Sequence, residues 1–397
     1  MDLKIDAAKW RKRRGMDRLL DALGAGEGLT RYVGGAVRDD LLSLAVNDVD
    51  LATRLLPAEV TERLGKATIK AVPTGIDHGT ITAVVAGEPV EVTTLRKDVS
   101  TDGRRAVVAF TEDWQEDAAR RDFTINALSA DPVSGEIFDY FGGLDDLLDR
   151  RVRFIGDPLQ RIAEDHLRIL RFFRFHARFG TGEPDREALA ACTERANDLM
   201  ALSRERIADE LLKLLGLPDP STTVGIMVAR EILVPVLPEI AAERLVDLTR
   251  LIAAEGEAGV AADALRRIVA LLPRQPELAD EIGARLRLSN AARKRLACAA
   301  DPNVEGPVEA LAYRAGVACA VDRLLLANRP ADAGALRDWT SPRLPITGGA
   351  LIKRGLTAGP VVAATMRRIE EDWIEAGFVT GDRFETIVAD AIADARS

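Results

Sequence analysis

A glycine pair and an arginine stand shortly before two aspartates within residues 32–51. The apolar run before the glycines predicts a short strand, Gly34 and Gly35 predict a tight turn, and residues 36–44 predict a helix. Free backbone N–H groups at the start of such a helix attract phosphate, and glycine lets a ligand approach closely. Arg38 lies in the first turn of that helix and can reach the same phosphate with two donors.

Asp48 and Asp50 lie two residues apart in a predicted short strand, residues 47–51. Side chains two apart in a strand point to the same face, so the two carboxylates converge. A metal ion stabilises such a pair, and magnesium prefers oxygen ligands together with phosphate oxygens. A glycine pair alone is usually an ordinary turn, and Asp-x-Asp alone is usually a solvated loop. Their order and spacing together predict a site for a metal-bound triphosphate.

A third carboxylate, Glu91, lies in the predicted strand 89–95. If that strand pairs beside the strand of the two aspartates, Glu91 faces the same metal ions. If it lies at the sheet edge, the side chain faces solvent or pairs with a lysine. The polar, basic residues 96–105 predict a loop that is either simply mobile or closes over a bound nucleotide.

The composition is that of a globular protein of two to four domains, since 47% of the 397 residues are hydrophobic and 29% are charged. A net charge of −9 argues against a surface covered in positive charge, as non-specific nucleic-acid binding would need. It does not exclude an RNA substrate, because a local basic patch is enough to contact the phosphates. Cys192, Cys298 and Cys319 are widely spaced, which predicts reduced thiols and no partner held through a disulfide. The sequence has no signal-peptide core and no membrane-spanning run, so no membrane partner is expected and the cytoplasm is the expected location.

Strand signals dominate up to about residue 140, and helical periodicity dominates from Leu144 onward. This order predicts an α+β head with a small mixed sheet, followed by a helical neck, body and tail. The predicted domains are 1–148 for the head, 149–216 for the neck, 217–341 for the body and 342–397 for the tail. Within them, residues 114–128 are predicted to form one helix and residues 159–179 one long helix.

The predicted helix 159–179 has an apolar face and an arginine-rich face. Residues 150–178 contain eight arginines against three acidic residues, a local positive excess in an acidic protein. A solvated face normally mixes lysine with glutamate, so a stripe of arginines favours contact with phosphate or with bases. The residues of this stripe are Arg161, Asp165, Arg168, Arg171, Arg174 and Arg178.

Five motifs in this order resemble those of the class II tRNA nucleotidyltransferases, which comprise the CCA-adding enzymes and the related bacterial poly(A) polymerases of the polymerase-β-like superfamily. The resemblance covers about residues 30–216. The matching stretches are Gly34 to Asp39 with Asp48 to Leu51, Arg120 to Leu128, Asp139 to Gly143, Glu164 to Arg168, and Arg204 to Ile207 with Glu210 and Leu211.

The resemblance implies a template-independent enzyme that builds or repairs the 3′-terminal CCA of tRNA from CTP and ATP. Asp48 and Asp50 would then hold two magnesium ions for in-line nucleotidyl transfer. The phosphates would be bound by Gly35, Arg38 and Arg121, and Arg171 and Arg174 would support the triphosphate or the template. Gly34 and Asp122 would belong to the same nucleotide-binding site.

Asp165 and Arg168 would read the base, on the same resemblance. A carboxylate accepts from the exocyclic amino group that cytosine and adenine share, and a guanidinium donates to the neighbouring ring nitrogen. Uracil and guanine present the opposite pattern and would leave buried groups unpaired.

Three alternatives stay open from the sequence. The same head occurs in poly(A) polymerases, although those usually carry a longer basic C-terminal extension, whereas this chain has Glu370, Glu371 and Asp372 near its end. An enzyme that adds only CC or only A is a second alternative. A non-catalytic RNA-binding module is the third, but intact Asp48 and Asp50 disfavour it.

Overall fold

The computed structural model describes residues 4–46, 48–101 and 106–396, and these fall into two compact units. The first unit runs to Leu214 and also includes Thr222–Val236. The second unit comprises Leu215–Ser221 and the residues from Leu237 onward. The predicted head and nearly all of the predicted neck lie in the first unit, which also includes residues 222–236 of the predicted body. The rest of the predicted body and the predicted tail lie in the second unit, and the four predicted domains remain predictions.

The first unit contains a seven-stranded mixed sheet with the order β3-β4-β5-β2-β1-β8-β9, and a separate hairpin of β6 and β7. Only β2 and β5 pair in parallel; the other neighbours are antiparallel. The α+β head is thus confirmed. The strands are β1 Thr30–Val33, β2 Asp50–Thr53, β3 Lys70–Gly75, β4 Thr80–Val85, β5 Glu88–Thr94, β6 Arg96–Thr101, β7 Ala106–Phe110, β8 Ser129–Ala130 and β9 Ile137–Phe138.

Helices accompany the sheet, and every regular element of the described chain after Phe138 is helical. The helices up to residue 215 are α1 Ala7–Arg11, α2 Met16–Ala22, α3 Gly35–Leu41, α4 Pro57–Lys66, α5 Trp114–Ala119, α6 Gly143–Leu148, α7 Pro158–Glu164, α8 Arg168–Phe179, α9 Arg186–Glu194 and α10 Arg204–Leu215. The later helices are α11 Ser221–Ala229, α12 Leu245–Ala258, α13 Ala264–Ala270, α14 Pro276–Arg285, α15 Asn290–Ala300, α16 Val308–Ala315, α17 Val317–Leu326, α18 Pro330–Ala335, α19 Gly348–Lys353, α20 Pro360–Glu375 and α21 Asp382–Asp394. None of the described helices is both long enough and apolar enough to cross a membrane.

The prediction of one helix over residues 159–179 is wrong, because α7 ends at Glu164 and α8 begins at Arg168. Asp165 between them is extended, with φ −152° and ψ 106°. Its Oδ1 accepts a hydrogen bond from the N–H of Leu167 at 3.1 Å, so the side chain substitutes for a helical backbone acceptor. Because of this break, Asp165 does not lie on the same helical face as the arginines of α8.

The predicted helix 114–128 is also wrong beyond its first turns, since α5 ends at Ala119. Phe123 is extended and forms an isolated antiparallel bridge with Phe154, and its ring packs 4.9 Å from that of Phe154. The backbone of this segment is instead satisfied by the chain around residue 154, through Thr124 N–H to Arg153 O at 3.0 Å. Burial against a distant strand segment overrides the local helical pattern.

The predicted loop 96–105 is partly a strand. Residues 96–101 form β6, which pairs antiparallel with β7 from Arg96 opposite Phe110. Residues 102–105 lie outside the described part of the chain, as does Asn47. The strand prediction for residues 47–51 is right only from Asp50, where β2 begins.

The prediction of three reduced thiols is wrong for Cys298 and Cys319, which form a disulfide between α15 and α17 of the second unit. Their Cα atoms are 6.0 Å apart, within the range that a disulfide bridges. A separation of 21 residues gives no sign of this pairing, which depends on how the two helices pack. Cys192 is a free, buried cysteine. Cysteine content therefore does not support the cytoplasmic expectation.

Candidate nucleotide-binding and catalytic site

One cavity of about 810 Å³ in the first unit gathers the predicted phosphate-binding, metal-binding and base-reading residues, with the exception of Glu91. Strand β2 and the segment before it supply Asp50 and Asp48, the β1–α3 turn supplies the glycines, and α8 supplies three of the six lining cations. The lining residues are Gly34, Gly35, Arg38, Asp48, Asp50, Arg121, Asp122, Asn126, Asp165, Arg168, Arg171, Arg174, Phe175 and Lys213.

Gly34 forms the turn between β1 and α3 in a backbone conformation that only glycine adopts readily, with φ 69° and ψ −129°. A Cβ atom built on Gly34 would lie 2.9 Å from Nη1 of Arg121. The missing side chain therefore leaves the space in which the Arg121 guanidinium extends over the turn. This contact brings a cation to the predicted phosphate position from a segment more than eighty residues away.

Arg38 follows one turn later and is almost fully buried. Its guanidinium donates to Oδ1 of Asp39 from Nε at 2.8 Å and from Nη2 at 2.7 Å, and its Nη1 donates to Oδ1 of Asn126. Its Cζ lies 4.1 Å from the ring centroid of Phe179 on α8. These contacts fix the guanidinium of Arg38 in the wall of the cavity.

The register of the sheet brings the predicted metal ligands close together. Val33 opposes Asp50 across the β1–β2 pair, and Leu51 opposes Val92 across the parallel β2–β5 pair. Asp50 precedes Leu51 and Glu91 precedes Val92, so in this parallel pair Asp50 and Glu91 are neighbours on adjacent strands. The strand of Glu91 therefore pairs beside the strand of Asp50, which is the arrangement that would let Glu91 face the same metal ions. Its role as a metal ligand stays a prediction.

Asp48 and Asp50 differ from the other carboxylates of the cavity in their partners. Among the described residues, neither side chain accepts a hydrogen bond or forms an ion pair, whereas Asp122 and Asp165 are paired with arginines. Partial burial, and then the negative charges of Glu91 and Asp48, raise the pKa of Asp50 against the opposing effect of Arg121. Carboxylates that lack protein cations and repel one another are suited to a bound divalent cation. No group of three or more potential ligands is assembled among the described residues.

The two predicted base-reading side chains are held by neighbours that orient them. Nη2 of Arg206 on α10 donates to both oxygens of Asp165, at 3.0 and 2.8 Å. Arg168 donates to Oε2 of Glu164 at 2.6 Å and to the carbonyl oxygen of Arg161 at 2.8 Å. Both readers are only partly exposed. Their polar edges are thus positioned before any base enters.

Arg171 and Arg174, the next two arginines of α8, are anchored by carboxylates at their inner side. Arg171 binds Asp122, and Nε of Arg174 donates to Oε2 of Glu210 at 2.6 Å. Phe175 lies beneath Arg174, with 4.5 Å between the Cζ atom and the ring centroid. Of the predicted arginine stripe, Arg168, Arg171 and Arg174 therefore line the cavity as a half-buried, ion-paired row, whereas Arg161 is buried and Arg178 is exposed, and neither lines it.

Sequence reasoning assigned no role to several residues that build the site. Asn126 bridges Arg38 and Asp122, Arg206 holds Asp165, and Glu210 holds Arg174. All three lie within the stretches that match the family motifs, and this match is the sequence feature that could have identified them. Two further residues that line the cavity, Lys213 and Phe175, have no such feature. Helical periodicity does not distinguish Lys213 from an ordinary surface residue or Phe175 from an ordinary core residue.

Comparison with known proteins agrees with this geometry. The model of the poly(A) polymerase head domain matches residues 30–153, and the model of the probable RNA- and SrmB-binding site of polymerase A matches residues 183–244. A crystal structure of the Bacillus stearothermophilus CCA-adding enzyme in complex with CTP superimposes with a TM-score of 0.76 and 26% identity, covering 96% of this chain and 98% of the other. Fold and site together define a nucleotidyltransferase.

The sequence relatives identify the family. The mitochondrial CCA tRNA nucleotidyltransferase 1 of Mus musculus is 35% identical over 370 residues, which is 88% of this chain and 83% of the relative. The CCA-adding enzyme of Streptococcus gordonii is 44% identical over 189 residues, 47% of this chain and 46% of that enzyme. The chain belongs to the family of CCA-adding tRNA nucleotidyltransferases. The Thermotoga maritima CCA-adding enzyme complexed with tRNA_CCA shares the fold, with a TM-score of 0.69 at 21% identity and coverage of 99% of this chain.

Proposed function

We propose that this chain adds and repairs the 3′-terminal CCA of tRNA, using CTP and ATP and releasing pyrophosphate. The observation that carries the proposal is the single cavity that joins a glycine turn, two carboxylates without protein partners and a pre-oriented pair of base-reading side chains. A triphosphate, a metal ion and a base edge each find a matching surface within this one cavity. Transfer RNA that lacks all or part of its CCA end is the proposed acceptor.

Cations from two parts of the chain would bind the triphosphate. Arg38 and Arg121 lie at the β1–α3 turn, while Arg171 and Arg174 project from α8. Guanidinium groups bind phosphate oxygens with two donors in a fixed plane, which orients the nucleotide as well as attracting it. Arg121 is suited to the leaving pyrophosphate, since charge develops there during the transfer.

Asp48 and Asp50 would hold magnesium. When bound there, magnesium stabilises the phosphate charge and favours ionisation of the attacking 3′-hydroxyl. Among the described residues neither side chain forms an ion pair, and a divalent ion would relieve the repulsion between the two carboxylates. Glu91 is the proposed third carboxylate, on the strength of its place beside Asp50 in the sheet.

Base selection would follow from the donor and acceptor pattern of two side chains. Asp165 accepts from the exocyclic amino group, and Arg168 donates to the adjacent ring nitrogen, a pattern that cytosine and adenine satisfy. Uracil and guanine would place an acceptor against the carboxylate and a donor against the guanidinium. Because Arg206 and Glu164 hold these two groups in place, they would not readily rotate to accept the wrong base.

One assay separates this activity from its alternatives. Purified protein with magnesium is incubated with tRNAs that end before the CCA, after one C and after two C residues, with each labelled nucleotide supplied in turn. Addition of C, C and A followed by arrest is the expected result. Unlimited A tails would instead identify a poly(A) polymerase, partial addition would identify a CC-only or A-only enzyme, and no incorporation at all would contradict any transferase role.

The cytoplasm remains the proposed location.

A further inference from the structure

A second cavity, of about 760 Å³, lies in the first unit beside the nucleotide cavity. Asp48 is the one described residue that lines both cavities. The rest of its wall comes from the α1–α2 connection, the segment before β2, and the β4–β5 hairpin. Its lining residues are Arg13, Arg14, Met16, Val46, Asp48, Val49, Val85, Ala86, Glu88, Pro89 and Val90.

The geometry of nucleotidyl transfer requires a second approach to Asp48. The attacking hydroxyl must enter opposite the leaving pyrophosphate, because the displacement at the α-phosphate is in line. The cations that would hold the triphosphate all lie in the first cavity. The second cavity shares only Asp48 with the first among the described residues, so it offers the acceptor strand a separate approach to that carboxylate.

The walls of the second cavity combine two surfaces that an RNA end needs. Met16, Val49 and Val85 are buried apolar residues that form a floor against which a ribose or a base can pack. At one rim stand two guanidinium groups. Arg13 is anchored by a hydrogen bond from Nη2 to the carbonyl oxygen of Val46 at 2.6 Å, while Arg14 is exposed. Guanidinium groups at the edge of an apolar floor match a phosphate backbone beside a stacked nucleoside.

Charge distinguishes an RNA strand from a free nucleotide as the occupant. The two arginines face two carboxylates of the same cavity, Asp48 and Glu88, so the cavity has no net positive charge. A triphosphate would bring several negative charges close together next to those carboxylates, which is unfavourable. An RNA strand spaces its phosphates one per nucleotide, so one phosphate can meet Arg14 while the terminal hydroxyl reaches Asp48.

We propose that this second cavity binds the 3′-terminal nucleotides of the acceptor RNA, with Arg13 and Arg14 contacting its phosphates. The inference rests on the proposed transferase function and adds an acceptor site to it. Arg13 and Arg14 are positioning residues for the acceptor strand, since they bind RNA phosphates and do not touch the reacting atoms. The N-terminal basic segment thereby acquires a role that none of the five motifs includes.

Steady-state kinetics of the Arg14→Ala variant test the proposal, with Arg18→Ala as the matched control. Arg18 is an exposed arginine of α2 that does not line the cavity. In Arg14→Ala the KM for tRNA should rise about five- to tenfold, with the KM for CTP unchanged, because one phosphate contact is lost. The dependence of tRNA binding on salt should also weaken by the equivalent of about one counterion. Equal tRNA KM values for the two variants would overturn the acceptor site.

Crosslinking of the unaltered full chain gives an independent result that does not depend on a variant. A tRNA with a photoreactive nucleotide at its 3′ end is irradiated with the protein, and the attached peptides are mapped. Attachment within residues 13–16 or 85–90 supports the proposal, whereas attachment confined to other residues overturns it. The acceptor site and the transferase function are tested separately. The crosslink tests only the acceptor site, whereas a failure to incorporate any nucleotide contradicts the transferase function whatever the crosslink shows.

Discussion

Arg171 on α8 donates two hydrogen bonds to one oxygen of Asp122, from Nε at 2.8 Å and from Nη2 at 2.5 Å. The other oxygen of Asp122 accepts from Nδ2 of Asn126 at 2.9 Å, and Oδ1 of Asn126 accepts from Arg38. A continuous set of hydrogen bonds therefore connects the helix that carries the base reader Arg168 to the β1–α3 turn. The buried Asp122 is the link on which both ends depend.

Asp122→Asn should destabilise the first unit by about 3 kcal/mol, because Arg171 then loses its carboxylate partner in a mostly buried position. It should also raise the KM for CTP, since Arg171 would no longer be held toward the cavity. Hydrogen exchange of peptides from the first unit measures the stability. Asp145→Asn, an exposed carboxylate on α6, is the control. An equal stability for the two variants would contradict the assigned role.

The stabilisation by Asp122 should depend on pH with a definite sign. Burial alone would raise the pKa of Asp122, but the positive charge of Arg171 and hydrogen bonds from Asn126, Arg171 and the N–H of Phe123 together lower it. A folded pKa below the unfolded value of about 3.9 gives stability that is complete above that value and is lost as the pH falls through the folded pKa. The deficit of Asp122→Asn should therefore be constant near neutrality and shrink below about pH 4.

Asp48→Asn should lower nucleotidyl transfer at least about a thousandfold while changing the affinity for CTP much less, because a metal ligand acts mainly on the transition state. The same exposed control, Asp145→Asn, should leave the transfer rate unchanged. Glu91→Gln then decides the third carboxylate. A loss comparable to that of Asp48→Asn would assign Glu91 to the metal, and a loss below about threefold would remove it from the site.

Arg206→Ala should increase misincorporation of UTP and GTP about tenfold, because Asp165 loses the guanidinium that fixes its orientation. Arg168→Ala should relax discrimination further, since it removes a reader and not its support. Both effects are measured as ratios of kcat/KM for wrong and right nucleotides. Arg186→Ala, an exposed arginine of α9, is the control. Unchanged ratios in Arg168→Ala would show that this side chain does not read the base.

Local sequence features predicted the elements whose conformation is decided locally. The β1–turn–α3 unit follows from an apolar run, two glycines and a helical pattern, and the structure places it as predicted apart from an earlier helix end at Leu41. The charged residues that line the cavity, except Lys213, were also predicted, because they lie in the motifs or on the arginine-rich face of the predicted helix. Side-chain chemistry and turn geometry are properties of short stretches, and a sequence displays them directly.

The two incorrect helix predictions both involve contacts with segments outside the predicted helix. Asp165 ends α7 because its carboxylate caps Leu167 and binds Arg206 from another helix. Phe123 leaves the helical conformation because it packs against Phe154, which periodicity within residues 114–128 cannot reveal. In each case tertiary contacts outweigh a helix preference of only tenths of a kcal/mol per residue.

The disulfide between Cys298 and Cys319 should stabilise the second unit by about 3 kcal/mol, given the length of the loop that it closes. Cys298→Ser should therefore increase hydrogen exchange in α15 and α17, and dithiothreitol should produce the same change in the unaltered protein. Cys298→Ser itself should not respond to dithiothreitol. If reduction leaves exchange in these helices unchanged, the disulfide does not contribute to the stability of this unit.

Gly34→Ala should weaken nucleotide binding more than it weakens the fold. The added Cβ would lie 2.9 Å from Nη1 of Arg121, so the guanidinium must leave its place over the turn. We expect the KM for CTP to rise about tenfold, as for the loss of one charged hydrogen bond. The positive φ adds a stability cost of about 1 kcal/mol.

Gly26→Ala is the matched control, because no atom lies within 4 Å of the added Cβ and the residue does not have a positive φ. It should leave both the KM and the stability as they are. Kinetics with CTP and hydrogen exchange of β1 and α3 measure the two effects separately. A Gly34→Ala enzyme with an unchanged KM would show that Arg121 binds the triphosphate from a position that does not need the open turn. The glycine would then serve only the backbone conformation.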